Sequence, residues 1–303
     1  MALNLQTESL GLNYITKKSK FIISNIADKL IIENCNFKAM KNIYFICFLT
    51  IIQFYPGYAQ QALQSSVYEW EKLPFKKTPT GEVRDILQGP TRSLDMFDIK
   101  AVTLSPLKEK WNFKVKSATD ELIIIKEGVV AIQVNAEQKI LGEGSVIVAG
   151  SDDEVVISNK NTTNAIFYLI SFKPFRTKKE TWTPSKVAPL FIDWNNIEFK
   201  PSENGGRRNL MKQKTSSLKE LEIHVTTLKE GVSSHAPHSH PDEEIILVRQ
   251  GIVEMNIKGE PYPLGPGSII LLTSNDPHGL RNAGAGQCEY YAVRWLTNVA
   301  GSK

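Results

Sequence analysis

All five histidines of the 303-residue chain fall in its second half, at 224, 235, 238, 240 and 278. Imidazole is the commonest nitrogen ligand for transition metals, and a cluster of this kind is what such a site needs. The first motif reads His238-Ser-His240-Pro-Asp-Glu-Glu244, followed by six residues and Gly251. His238 and His240 are two apart, so on a strand both face one side. Glu244 shares their parity and joins them if the chain turns or bulges in between. The second motif is Gly265-Pro-Gly267, a strand, then Pro277-His278 and Asn282. His278 would reach the same point from a neighbouring strand. Three imidazoles and one carboxylate form a mixed nitrogen and oxygen donor set, suited to Mn, Fe, Ni, Cu or Zn rather than Mg or Ca. Four protein ligands leave one or two coordination positions for water or substrate. The alternative, a cluster of satisfied core histidines, would bury several polar atoms at a desolvation cost with nothing to offset it.

The elements that must position these residues are short strands. Ile245–Val248, Ile252–Ile257, Ile269–Leu272 and Tyr290–Val293 are apolar or alternating runs punctuated by Gly, Asn and Asp. Leu122–Ile125, Val129–Val134, Val146–Val148 and Ile166–Ile170 repeat the pattern earlier in the chain. Runs this short and this rich in Val and Ile predict an all-β sandwich or barrel, not buried helices.

The two sets are copies of one another. At a constant offset of 123, Glu121–Gly128 falls on Glu244–Gly251 and Leu141–Ser145 on Leu264–Ser268. Asn159 falls on Asn282, Val102-Thr103 on Val225-Thr226, and Phe167–Phe172 on Tyr290–Trp295. The chain is therefore read as an internal duplication. The same offset carries His238 to Val115, His240 to Ser117 and His278 to Val155, while Glu244 keeps Glu121. The first copy is expected to bind no transition metal, with Glu121 a residual polar core residue.

The spacing HxH(x)3E(x)6G, followed by PxG and H(x)3N, resembles the paired motifs of the cupin superfamily. That resemblance implies two small jelly-roll barrels, a degenerate first and a metal-binding second. It implies His238, His240, Glu244 and His278 as ligands of one divalent transition-metal ion. One departure is that the motif's opening glycine, Gly231, stands six residues before His238 instead of five. A stripped first barrel beside an intact second is also similar to the bicupin ureidoglycine aminohydrolases, although their ligand pattern differs from this one. The cupin family includes dioxygenases, isomerases and decarboxylases as well as non-catalytic binding proteins, so the motifs speak for fold and metal, not for a reaction. The resulting expectation is an exported metalloenzyme acting on a sugar acid, keto acid or phenol. The alternative is a non-catalytic protein that captures a small ligand or metal.

Other residues receive plainer readings. Gly251, Gly265 and Gly267 are turn glycines, and Asn282 a turn residue. Arg249 has the wrong strand parity to face the site. Arg294, which stands where the first copy has Ser171, could face a substrate, as could Tyr290 and Tyr262; surface or core roles are the simpler reading of each. His235 reads as an exposed loop residue and His224 as a packed or surface one.

From Met40 the chain reads MKNIYFICFLTIIQFYPGYAQQ. Lys41, an apolar run of about 13 residues and Gly57-Tyr58-Ala59 have the order of a secretory signal peptide, too short for the ~20 residues of a membrane span. The expected organisation is a mis-assigned upstream extension (1–39), a signal peptide (40–59) and an N-terminal arm (60–95). A degenerate barrel (96–172), a linker with a lead-in strand (173–217) and the metal-binding barrel (218–297) follow. The product would be periplasmic or secreted, without stable membrane insertion after cleavage. A homodimer is a further expectation. Residues 1–59 carry six Lys and three acids, so without them the formal charge falls from +4 to +1. A balance that close to zero argues against nucleic acid as a partner. Cys35 and Cys47 lie in the same segment, leaving only Cys288, which cannot form a disulfide within its own chain.

Overall fold

The computed structural model describes residues 61–107, 110–175 and 186–297. The upstream segment and signal peptide expected over 1–59 lie outside the described residues, as does much of the Lys-, Thr- and Pro-rich stretch after Pro174.

Two β-barrels follow one another. The first pairs a seven-stranded sheet with a four-stranded one, and the second pairs a seven-stranded sheet with a three-stranded one. In the second barrel the large sheet runs Ser66–Tyr68, Ile269–Leu272, Glu243–Gln250, Cys288–Leu296, Glu220–Leu228, Gly205–Gln213, Lys200–Ser202. Its small sheet runs Glu260–Leu264, Val253–Ile257, His278–Asn282. Among the described residues, no helix is long and apolar enough to cross a membrane.

The apolar runs are continuous because the large sheets are buried on both faces. Leu122 and Ile124 of one strand join Ile245 and Leu247 of its counterpart in a core between the barrels. The alternate residues turn inward: Ile123 and Ile125 fill the first barrel, Ile246 and Val248 the second. Phe97, Phe172 and Trp295 pack at the centre of the shared core, with ring centroids 4.9 to 5.3 Å apart. Edge and tilted contacts of this kind add to the hydrophobic gain from burying large rings.

The arms cross between the barrels. Ser66–Tyr68, which precedes the first barrel, pairs with Ile269–Leu272 of the second. Leu190–Ile192, which precedes the second barrel, pairs with Val146–Ala149 of the first. Each crossing ends in a tryptophan that lies over a tight turn of the other barrel: Trp70 over Gly267 and Trp194 over Gly144. Both glycines have φ near +90° (+89° and +87°), so the left-handed turn and the overlying ring each require a residue without Cβ.

Candidate functional site

The ligand residues come from both sheets of the second barrel and from the loop that joins Glu220–Leu228 to Glu243–Gln250. Glu244 lies on the Glu243–Gln250 strand of the large sheet. His278 opens the His278–Asn282 strand of the small sheet. His238 is bridged to it, with backbone hydrogen bonds of 3.0 and 2.9 Å in both directions. His240 is held by its carbonyl, which accepts from the Asn275 amide at 2.8 Å.

The ligand nitrogens of His238, His240 and His278 lie within 4.8 Å of one another. Two nitrogens on one ion, each about 2.1 Å from it, can be at most about 4.2 Å apart, so this spread is close to what coordination requires. His240 Nε2 lies 3.2 Å from Glu244 Oε2. The ring orientations suit ligation as well. His240 Nδ1 is 2.9 Å from the Asp242 carbonyl and His278 Nδ1 is 2.8 Å from the Asp276 carbonyl. A carbonyl can only accept, so these contacts place the proton on Nδ1 and leave Nε2 as a free donor of electrons. Burial alone would raise the Glu244 carboxyl, but without a metal a second proton on His240 Nε2 would be donated to it, and this bond with the nearby imidazoles outweighs burial and lowers it. The same hydrogen bond raises His240, while burial and then His235 lower His238.

These groups line a cavity of ≈ 510 Å³. His278 is buried, His240 and Glu244 are partly buried, and His238 is exposed at the rim. His235 is also exposed, yet its ring lies 4.1 Å from that of His238 and it lines the cavity. Of the three side chains considered as substrate-facing, Arg294 and Tyr290 line the cavity and Tyr262 does not. Burial raises the Tyr290 hydroxyl to about 12. Arg249 points elsewhere: it stacks on Trp194 and pairs with Glu289 and Glu143. Asn282 binds the Leu228 and Gly286 carbonyls, as Asn159 binds those of Leu104 and Thr163, so both shape turns.

His224, read from the sequence as a packed or surface residue, is packed in the cavity wall. Its strand alternates Leu221, Ile223 and Val225 outward into the shared core with Glu222, His224 and Thr226 inward. Sequence reasoning takes the polar side of an alternating strand for the solvent side. Here it faces the cavity inside the barrel, and Arg207 on the adjoining strand escaped notice for the same reason.

Val102 pairs with Phe167 and Thr226 with Tyr290, and those partners are 123 apart, so Val102 corresponds to Thr226 and not to Val225. Phe113 faces Val155 where His238 faces His278, and Val115 accepts from Asp152 where His240 accepts from Asn275. His238 and His240 thus correspond to Phe113 and Val115, not to Val115 and Ser117. The loop from Val115 to Glu121 is two residues longer than that from His240 to Glu244, and an ungapped comparison cannot see this. Phe113, Val115 and Val155 belong to the apolar core of the first barrel. Glu121 remains buried there and accepts a 2.6 Å hydrogen bond from Ser171.

Comparison with known proteins agrees with this architecture. Residues 224–294 match the family model for the cupin domain. Protein Ylba from E. coli superposes with a TM-score of 0.59 at 12% identity, covering 78% of this chain and 95% of that one. The oxalate decarboxylase of Bacillus subtilis, a protein with Mn(II) centres, gives a TM-score of 0.60 at 13% identity and covers 80% of each chain. The L-ectoine synthase of Vibrio campbellii is 36% identical over 60 residues, which are 20% of this chain and 46% of that protein. The chain thus spans about half the length of the curated relative it matches. Residues 224–294 are thus a cupin domain, and the chain shares the fold of these solved structures. Its histidine cluster could hold a divalent metal ion.

Proposed function

We propose that the second barrel holds one divalent transition-metal ion on His238, His240, Glu244 and His278. There it works as an enzyme on a small oxygen-rich molecule: a sugar acid, keto acid or phenol. The observation that carries this reading is the meeting of three imidazoles and a partly buried carboxylate in the wall of a cavity large enough for such a molecule. The Mn(II) centres of the structurally similar oxalate decarboxylase support it. A bound ion of this class would supply Lewis-acid polarisation of a coordinated oxygen.

The chain's own residues supply the rest. The Asp242 and Asp276 carbonyls fix the His240 and His278 rings. Glu244 contributes negative charge that offsets part of the cation's. Ile246, Met255 and Leu280 give the cavity an apolar side that excludes water. The buried Tyr290 hydroxyl, held in its neutral form, is a hydrogen-bond donor to substrate.

Elemental analysis of the purified protein tests the metal. About one transition-metal ion per chain is expected, and none in a His238→Ala/His240→Ala variant. An intact protein that takes up no such metal overturns the reading. Oxygen uptake and turnover of uronates, keto acids and phenols then test the enzyme; tight binding without turnover would make the protein a binder.

The reading also takes the protein as exported, on the order of features from Lys41 to Ala59. Mass spectrometry of the protein from its native host should find a mature N-terminus at Gln60. A cytoplasmic product that retains residues 1–39 would refute export.

A further inference from the structure

The large sheet of the second barrel carries a second polar group beside the histidine cluster. Arg294 faces Glu244 on one neighbouring strand and Glu222 on the other, so the three form one inward-facing row. His224 stands in the next row, and Arg207 lines the cavity from the strand beyond. Glu222 is bonded by Arg294 at 2.6 Å, Lys212 at 2.9 Å and Arg207 at 3.1 Å. One carboxylate therefore meets three cations. Of these, Lys212 also meets Glu220 at 3.6 Å and is turned away to it, which leaves the two guanidiniums as the partners of Glu222 in the cavity wall. Neither guanidinium is spent. Arg294 gives one amino group to Glu222, with its Nε 3.7 Å from Asp242. Arg207 gives Nε to Asn209 and one amino group to Glu222. Each side chain has five N–H donors, so each retains several.

His224 adds an uncharged partner. Its Nδ1 is buried without a hydrogen bond, 3.7 Å from Glu222 Oε1, which leaves Nε2 to the cavity. Burial, then the charge of Arg207, pushes this imidazole down to about 4, so it is neutral at neutral pH. The first barrel has one cation at the corresponding positions, Lys100, and it is paired with Asp98, the counterpart of Glu222, at 2.6 Å. Register places Val83, Lys100 and Ser171 where the second has Arg207, His224 and Arg294. The two arginines occur only in the barrel that has the three imidazoles.

We propose that Arg207, His224 and Arg294 form a carboxylate-binding subsite, so that the molecule held in the cavity is a small acid with a further oxygen group a few atoms from its carboxylate. This selects the acids over the phenols, and it rests on reading the cavity as the substrate site. The planar guanidinium fork matches the two oxygens of a carboxylate, and partial exclusion of water strengthens such pairs. Glu222 keeps the forks oriented, through Arg294 at 2.6 Å and Arg207 at 3.1 Å.

The test is calorimetric titration of the metal-loaded protein with succinate, with neutral succinamide and with inorganic phosphate, metal content being measured on the same samples. Succinate is expected to bind at least about tenfold tighter than succinamide and tighter than phosphate. Arg207→Gln should weaken succinate about tenfold at unchanged metal content. Arg294→Lys, which keeps a cation beside Glu222, should do the same because an ammonium lacks the fork. No succinate binding, equal affinity for succinamide, tighter binding of phosphate, or variants that bind succinate as well as the parent would each overturn the subsite. Full metal content with those results leaves the metal reading standing. Discrimination of succinate from succinamide by a protein that takes up no metal would support the subsite while the metal reading fails.

Discussion

Tyr168 and Tyr291 occupy equivalent places in the two barrels, and each sends its hydroxyl into the other one. Tyr168 donates to the Gly267 carbonyl at 2.9 Å and Tyr291 to the Gly144 carbonyl at 2.8 Å, both fully buried. The same two turns lie under Trp70 and Trp194, whose backbone amides donate to Ser268 and Ser145. These four contacts thus form two pairs, made in opposite directions around one shared core. Tyr291→Phe keeps the ring packing but leaves the Gly144 carbonyl buried and unpaired. The expected loss is about 1–3 kcal/mol, seen as a lower urea midpoint with an unchanged slope. Two separate unfolding transitions would contradict the interlocked joint.

Gly144→Ala should be worse. A Cβ there would sit 2.6 Å from the Trp194 ring in a backbone of φ +87°. The ring must lift off the turn, and the residue is strained even if it does. We expect at least about 2 kcal/mol of destabilisation by denaturant titration, from strain and lost packing together. Gly231→Ala, also at positive φ but with nothing within 4 Å, should cost only the strain.

Removal of a single ligand should separate metal from fold. His278→Ala deletes an imidazole whose Nδ1 binds only the neighbouring Asp276 carbonyl. Metal content should fall to a small fraction of the parent's, while the thermal midpoint of chelator-treated protein changes by only a few degrees. Val155→His in the first barrel should recruit no metal, because Phe113 and Val115 still occupy the other two positions.

Glu121 predicts a pH effect from the first barrel. Burial raises its carboxyl to about 7 from 4.5, despite the Ser171 hydrogen bond, with Asp98 raising it further and Lys100 and Lys116 opposing. In the unfolded chain the group ionises near 4.5; in the folded chain it resists until about 7. Its contribution to stability is complete below pH 4.5 and is lost as pH rises to 7, by up to about 3 kcal/mol. Glu121→Gln should flatten the decline of stability between pH 4.5 and 7 relative to the parent. Parallel curves for the two proteins would refute the assignment.

The sequence alone determined the duplication, the all-β class and the four candidate ligands. These follow from local rules, because a ligand set needs only its residue types and spacing to be recognised; His238 and His240 nevertheless converge from a loop and not from the strand whose parity suggested them. The turn roles of Gly267 and Asn282 were equally legible, because a turn is closed by residues near it in the chain. What only the tertiary structure decided is non-local. The alternation of Glu222, His224 and Thr226 with Leu221, Ile223 and Val225 looks the same whether its polar side meets solvent or a cavity, and only barrel closure distinguishes the two. Two residues of loop length moved the counterparts of His238 and His240 to Phe113 and Val115. The crossing of Ser66–Tyr68 and Leu190–Ile192 between barrels depends on where a neighbouring sheet leaves an edge unpaired, and no run of residues along the chain encodes that by itself.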